Sequence, residues 1–137
     1  MTEPQGAAER PELYADTSDG PGRALSEVLA RWRSAFDARH TERVAALFTP
    51  DALFQGLGTT SFLSRERVRE YYERVPAGTR AEVRIAYAYR LDGALGGIAE
   101  IRFTHPDRVR TAMVSVVLTR AGEQWLIRHW HAAATGA

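Results

Sequence analysis

The 137 residues carry eighteen basic and seventeen acidic side chains, a formal charge of +1, with 45% apolar residues and no cysteine. That length and apolar content fit one packed domain, and the balanced charge leaves no electrostatic footprint for sequence-independent nucleic-acid binding. The lack of cysteine excludes disulfides, thiol nucleophiles, iron–sulfur clusters and Cys-ligated zinc.

Residues 1–23 (with Pro4, Pro11, Pro21, Gly6, Gly20 and Gly22) read as an arm outside the core, anchored through Leu13 and Tyr14. The domain proper is assigned to residues 24–137. From Ala24 the pattern turns helical: Leu25, Val28, Leu29, Trp32, Ala35 and Phe36 recur every three or four residues, with Glu27, Arg31 and Arg33 on the other side. A second short helix is expected from Thr41, as N-cap, through Val44, Leu47 and Phe48, stopped by Pro50. Ala52–Gln55 reads as a short strand ended by Gly56 and Gly58. Ser64 is placed to cap a third helix that buries Val68, Tyr71, Tyr72 and Val75 before Pro76 and Gly78 end it.

The remainder alternates as strands do, over 81–91, 95–105, 109–120 and 124–133, with turns at Asp92-Gly93, Pro106-Asp107 and Ala121-Gly122. Helices gathered ahead of an antiparallel meander predict an α+β fold, with amphipathic helices covering one sheet face. A curved sheet wrapped on helices leaves a hollow in which a small molecule can sit.

The chemistry available is narrow. All eighteen basic residues are Arg, so neither a Schiff-base lysine nor a phosphate-loop lysine exists. Ser115 sits mid-strand rather than in a nucleophile elbow. His129 and His131 share one strand face, as metal-binding imidazoles can, but no third ligand motif stands nearby. Neither a metal nor an organic cofactor is expected. Glu100, Arg102 and Thr104 share one face of their strand, and Ala99, Ile101 and Phe103 the other. The charged face is ordinarily the solvent face. The neighbouring strand, however, is apolar at both Met113-Ser115-Val117 and Val114-Val116-Leu118, which leaves both orientations open. Turned inward, Glu100, Arg102 and Arg128 would form a cluster able to hold a carboxylate or enolate, with Glu100 as general base.

Three strings, RWRSAFDARHTERVAALFTPDALFQG, SRERVREYYERVP and GEQWLIRHWHAA, resemble the nuclear-transport-factor-2-like superfamily over residues 24–134. Within it they are most similar to SnoaL-like proteins, and among those to the small proteins of enediyne polyketide gene clusters. The resemblance implies a cone-shaped, cystatin-like fold with three N-terminal helices on a strongly curved antiparallel sheet. A homodimer through the outer sheet face is expected from the strand with Met113, Ser115 and Val117, both faces of which look buried. Against ketosteroid isomerases of the superfamily, the helix-1 tyrosine falls on Trp32, the aspartate base near Gly56 and the oxyanion-hole aspartate on Ser115. Only the supporting tyrosine matches, at Tyr72, so that chemistry is not inherited. AEIRFT resembles AYIRIT of the calcium/calmodulin-dependent protein kinase II association domain, whose pocket arginine matches Arg102, while two further pocket arginines fall on Ser115 and Ala132.

These resemblances turn Ile98, Glu100, Arg102, Thr104, Met113, Ser115, Val117, Arg128 and Trp130 inward, and His129 and His131 outward. The expected pocket is then Trp32, Gln55, Tyr72, Glu100, Arg102, Ser115, Arg128 and Trp130, with Glu100 and Arg102 as the catalytic pair. The implied function is binding of a polyketide intermediate and its cyclisation, isomerisation or dehydration by acid–base chemistry. The alternative is a non-catalytic binder that shields an intermediate or assists a synthase partner. No apolar run spans a membrane, which takes about 18 residues, and MTEPQGAAERPEL lacks a secretory core, so a cytoplasmic location is expected.

Overall fold

A computed structural model describes residues 15–58 and 63–135. The chain runs through helix α1 (Gly20–Asp37), helix α2 (Thr41–Ala46), strand β1 (Phe48–Gln55), helix α3 (Arg65–Glu73) and strands β2 (Arg80–Leu91), β3 (Ala94–His105), β4 (Arg108–Ala121) and β5 (Gln124–Thr135). Leu13 and Tyr14, the expected anchors of the arm, lie outside the described residues. Just after them, the Ala15 amide donates to the Ile85 carbonyl at 2.9 Å, which ties the chain to β2.

Helix α1 starts at Gly20 rather than Ala24, because Pro21 fits the first turn, where no amide partner is needed. Its buried stripe (Leu25, Val28, Leu29, Trp32, Ala35, Phe36) is the one the spacing predicts. Ser64 stands at the N-cap of α3 as expected, whereas the N-cap of α2 is His40 and Thr41 is its first helical residue. Phe48 opens β1 instead of closing α2. Pro50 is tolerated there because the pairing of β1 with β5 is interrupted between Phe48 and Leu53, so its missing N–H breaks no ladder bond.

The five strands form one sheet in the order β1-β5-β4-β3-β2. β2 to β5 make the antiparallel meander, and β1 joins the free edge of β5 in parallel. The helices cover the inner face. Gly97 is required there: a methyl group at its Cα would collide with the Leu25 side chain of α1. Ala81 and Ile85 of β2, Leu95, Ala99 and Ile101 of β3, Ala112, Val114, Val116 and Leu118 of β4, and Ile127 and Trp130 of β5 are all buried beneath the helices. This is the cystatin-like α+β architecture expected.

The burial pattern corrects the inward placement of the charged stripe. Ala99 and Ile101 are fully buried, so Ile98, Glu100, Arg102 and Thr104 project from the opposite, outer face. Strict alternation then sends Met113, Ser115 and Val117 outward too, since they oppose Glu100, Ile98 and Gly96. Glu82 stands opposite Arg102 and Arg84 opposite Glu100, an alternation of charge that suits a half-solvated sheet surface. Among the described residues no helix is long and apolar enough to cross a membrane.

Candidate ligand cavity

Two helices and two strands bring six aromatic rings together. Trp32 and Phe36, one helical turn apart on α1, stack at 4.9 Å between centroids. Trp130 of β5 lies 5.1 Å from Trp32 and 6.0 Å from Phe54 of β1, nearly parallel to the latter at 26°. Tyr71 and Tyr72, adjacent on α3, both face inward because the first packs edge-on against Phe54 at 5.0 Å and the second against Phe36 at 5.9 Å. Trp32 is 0% and Trp130 2% exposed, so these rings form a floor rather than a surface patch.

Above that floor opens a cavity of about 440 Å³, walled by Phe36, Phe54, Tyr71, Tyr72, Phe103 and Trp130. Arg74, His105, Arg108 and Arg110 stand among its polar lining residues, and no Asp or Glu lines it among the described residues. Gly56 is also part of the wall. A methyl group at its Cα would overlap the Tyr71 ring, so only glycine lets the phenol reach the Leu57 carbonyl, to which it donates at 3.0 Å.

The two phenols play complementary parts. The Trp32 indole N–H can only donate, and it gives its hydrogen bond to the Tyr72 hydroxyl oxygen at 3.1 Å, which leaves the Tyr72 proton for another acceptor. Tyr71 spends its proton on Leu57 and keeps a lone pair. Burial pushes the Tyr72 hydroxyl well above the ordinary phenol range, with Tyr71 adding to the rise and the Trp32 bond opposing it. Burial also raises Tyr71, against the Arg110 charge and the Leu57 bond. Both phenols therefore stay protonated around neutrality. His105 accepts the Asp107 amide at Nδ1, a long contact of 3.5 Å.

Of the eight pocket residues expected from sequence, Tyr72 and Trp130 line the cavity, and Trp32 lies directly behind them as the donor to Tyr72. Glu100, Arg102 and Ser115 are on the other side of the sheet. Gln55 alternates out from buried Phe54 and pairs in register with His131. Arg128 sits at the irregularity in the β4–β5 pairing and its guanidinium reaches Asp51 at 3.3 Å. That irregularity still leaves His129 and His131 opposite Val117 and Ser115, on the outer face where the resemblance puts them. No group of three His, Asp or Glu suited to a metal exists among the described residues. Sequence reasoning missed Arg108, Arg110 and His105. Their signal was present in the period-two alternation, since Arg108 and Arg110 share a face with Ala112 and Val114.

Helices gathered on one face of a curved sheet define a fold of the nuclear-transport-factor-2-like superfamily. The chain belongs to the SnoaL-like domain family, whose model matches residues 25–135. None of the curated proteins matches it. Among solved structures it is similar to a candidate calcium/calmodulin-dependent protein kinase II association domain from Xanthomonas campestris, at 23% identity and a TM-score of 0.73, covering 89% of this chain and 94% of that one. A candidate scytalone dehydratase from Novosphingobium aromaticivorans DSM 12444 shares 14% identity with a TM-score of 0.68, covering 83% of each chain. A Catenulispora acidiphila structure in complex with S-DNPA shares 22% identity with a TM-score of 0.64, covering 82% of this chain and 91% of that one. At these identities the likeness is one of fold.

Proposed function

We propose that the protein binds a planar, conjugated small molecule, a polyketide intermediate of the kind its enediyne-cluster resemblance implies, in the cytoplasm and within the aromatic cavity. The single observation behind this reading is a cavity of about 440 Å³ with six aromatic walls, a volume in the range of small-ligand sites. Aromatic faces favour flat conjugated ligands over flexible aliphatic ones.

The lining favours binding and shielding over acid–base turnover. Dehydration or isomerisation needs a base for a C–H proton, and the described lining offers no carboxylate. Glu100 and Arg102, the expected catalytic pair, stand outside the cavity. One observation keeps an isomerase or dehydratase as the second reading, dehydratase being the activity named for the Novosphingobium structure. The imidazole of His105 lines the same cavity as the Tyr71 and Tyr72 phenols and could transfer a proton. His105→Gln separates the two, because lost turnover with retained binding makes the protein an enzyme.

The outer sheet face belongs to the same proposal. Tyr87 is 56% and Tyr89 46% exposed, on the face that also carries Met113 and Val117, and a second copy of the chain would cover them. A synthase partner is the competing occupant. Native mass spectrometry on protein from its producing cells tests both parts. The expected result is a dimer retaining one conjugated molecule per subunit. A monomer would overturn the role given to the outer face, and a protein that binds no small molecule even on titration would overturn the cavity reading.

A further inference from the structure

The inner face of the sheet is apolar along nearly all of its length and becomes cationic at one end. Arg108 and Arg110 project from the start of β4 on the same face as Ala112 and Val114. In register they oppose His105 and Phe103 of β3. Arg74 stands across from them at the C-cap of α3, and all of these residues line the one aromatic cavity. Six arginines elsewhere on the fold are differently placed. Arg23, Arg33, Arg67, Arg69, Arg80 and Arg128 each reach a carboxylate within 4 Å. Among the described residues neither Arg74, Arg108 nor Arg110 has such a partner.

Three guanidinium groups around an apolar hollow that no described carboxylate lines raise the local concentration of anions and repel cations. The planar fork of arginine matches a delocalised oxyanion in geometry as well as charge. From this arrangement, and resting on the cavity reading above, we propose that the ligand carries a carboxylate at one end. Its flat apolar body lies between Phe54, Tyr72 and Trp130, and its oxyanion is held at the mouth by Arg108 and Arg110, with Arg74 closing from the helix side. The Tyr72 proton, free of the Trp32 bond, serves a neutral oxygen deeper in the body. The protein thus distinguishes a free conjugated acid from its ester or amide.

Calorimetric titration with 2-naphthoate and with uncharged, nearly isosteric 2-naphthamide tests this. At low salt the acid is expected to bind about tenfold more tightly than the amide, the worth of a charge-assisted contact at a half-exposed mouth. The preference is expected to shrink several-fold at high salt, because exposed charges are screened within about 10 Å at 0.1 M ionic strength. Arg108→Gln/Arg110→Gln should abolish the preference by weakening the binding of the acid to that of the amide. Arg120→Gln, at the far end of β4 over Trp125, should retain it. If the double variant loses its circular dichroism spectrum, Arg74→Gln is read instead, with a several-fold loss of preference expected. Equal affinity for acid and amide overturns the carboxylate proposal and leaves the cavity reading intact. Tighter binding of 2-naphthyl phosphate than of 2-naphthoate also overturns it, in favour of a phosphate ligand. No binding of any probe by folded protein overturns both.

Discussion

The bond from Trp32 to Tyr72 joins the core to the cavity, and Tyr72→Phe isolates it. The substitution removes one oxygen and leaves the ring contacts to Trp32, Phe36 and Tyr71 at 6.3, 5.9 and 5.1 Å. What changes is the Trp32 N–H, which at 0% exposure loses its acceptor. An unsatisfied buried donor costs about 1–3 kcal/mol. Because the lost oxygen borders the cavity, a water can partly replace it, which places the expected loss at about 1–2 kcal/mol. For a domain of this size that lowers Tm by roughly 3–8 °C. Denaturant melts should show the shift in midpoint without a change in m-value. Trp32→Phe also costs stability, through lost volume and lost donor, and the double variant should cost about 1 kcal/mol less than the sum of the single ones. A Tyr72→Phe protein within about 0.5 kcal/mol of the parent, or strict additivity in the cycle, would refute the claim that the buried Trp32 N–H depends on the Tyr72 oxygen.

Gly56→Ala places a methyl group into the Tyr71 ring and should destabilise by about 1–3 kcal/mol in thermal melts, with Tyr71→Leu in the same chain restoring most of it; an unchanged Tm would contradict the packing. Glu100→Gln and Arg102→Ala should leave the affinity for an aromatic probe within about twofold of the parent, because both lie across the sheet from the cavity, and abolished binding in folded protein would place the site on the wrong face. Burial, aided by the charges of His131 and Arg128, lowers the His129 pKa below its ordinary value of 6.5. The unfolded chain then takes up its proton first, so stability is fully present above about pH 6.5 and falls as pH drops from there towards the lower native value. His129→Gln should flatten that part of the stability profile, and an unaltered slope would refute the assignment.

Much of the fold was legible because it rests on local periodicity. The 3.6-residue stripe of α1 and the glycine- and proline-marked turns of the meander reproduce its elements to within a residue or a few. β1 was read too short because Pro50 looks like a stop, and only the interrupted pairing with β5 shows why it is tolerated. The facing of the sheet was harder. A strand with Ala99, Ile101 and Phe103 on one side and Ile98, Glu100 and Arg102 on the other has apolar residues on both. Period-two alternation gives the two sets but not which one is inside. The resemblance to AYIRIT chose the charged set, whereas Gly97 beneath Leu25 and fully buried Ala99 choose the other. The plain rule, charges to solvent, held for β3. It does not place Arg108 and Arg110, which at the start of β4 share the inner face yet stay exposed at the open mouth of the cavity, and that departure marks the candidate site.

The most direct test of the inner cavity as the binding site is the anomalous scattering of bromine in crystals grown with 6-bromo-2-naphthamide, a probe that needs no charge at the mouth. The expected result is a bromine peak enclosed by Phe54, Tyr72 and Trp130. A peak confined to the outer face beside Tyr87 and Tyr89, with the aromatic cavity empty, would contradict it.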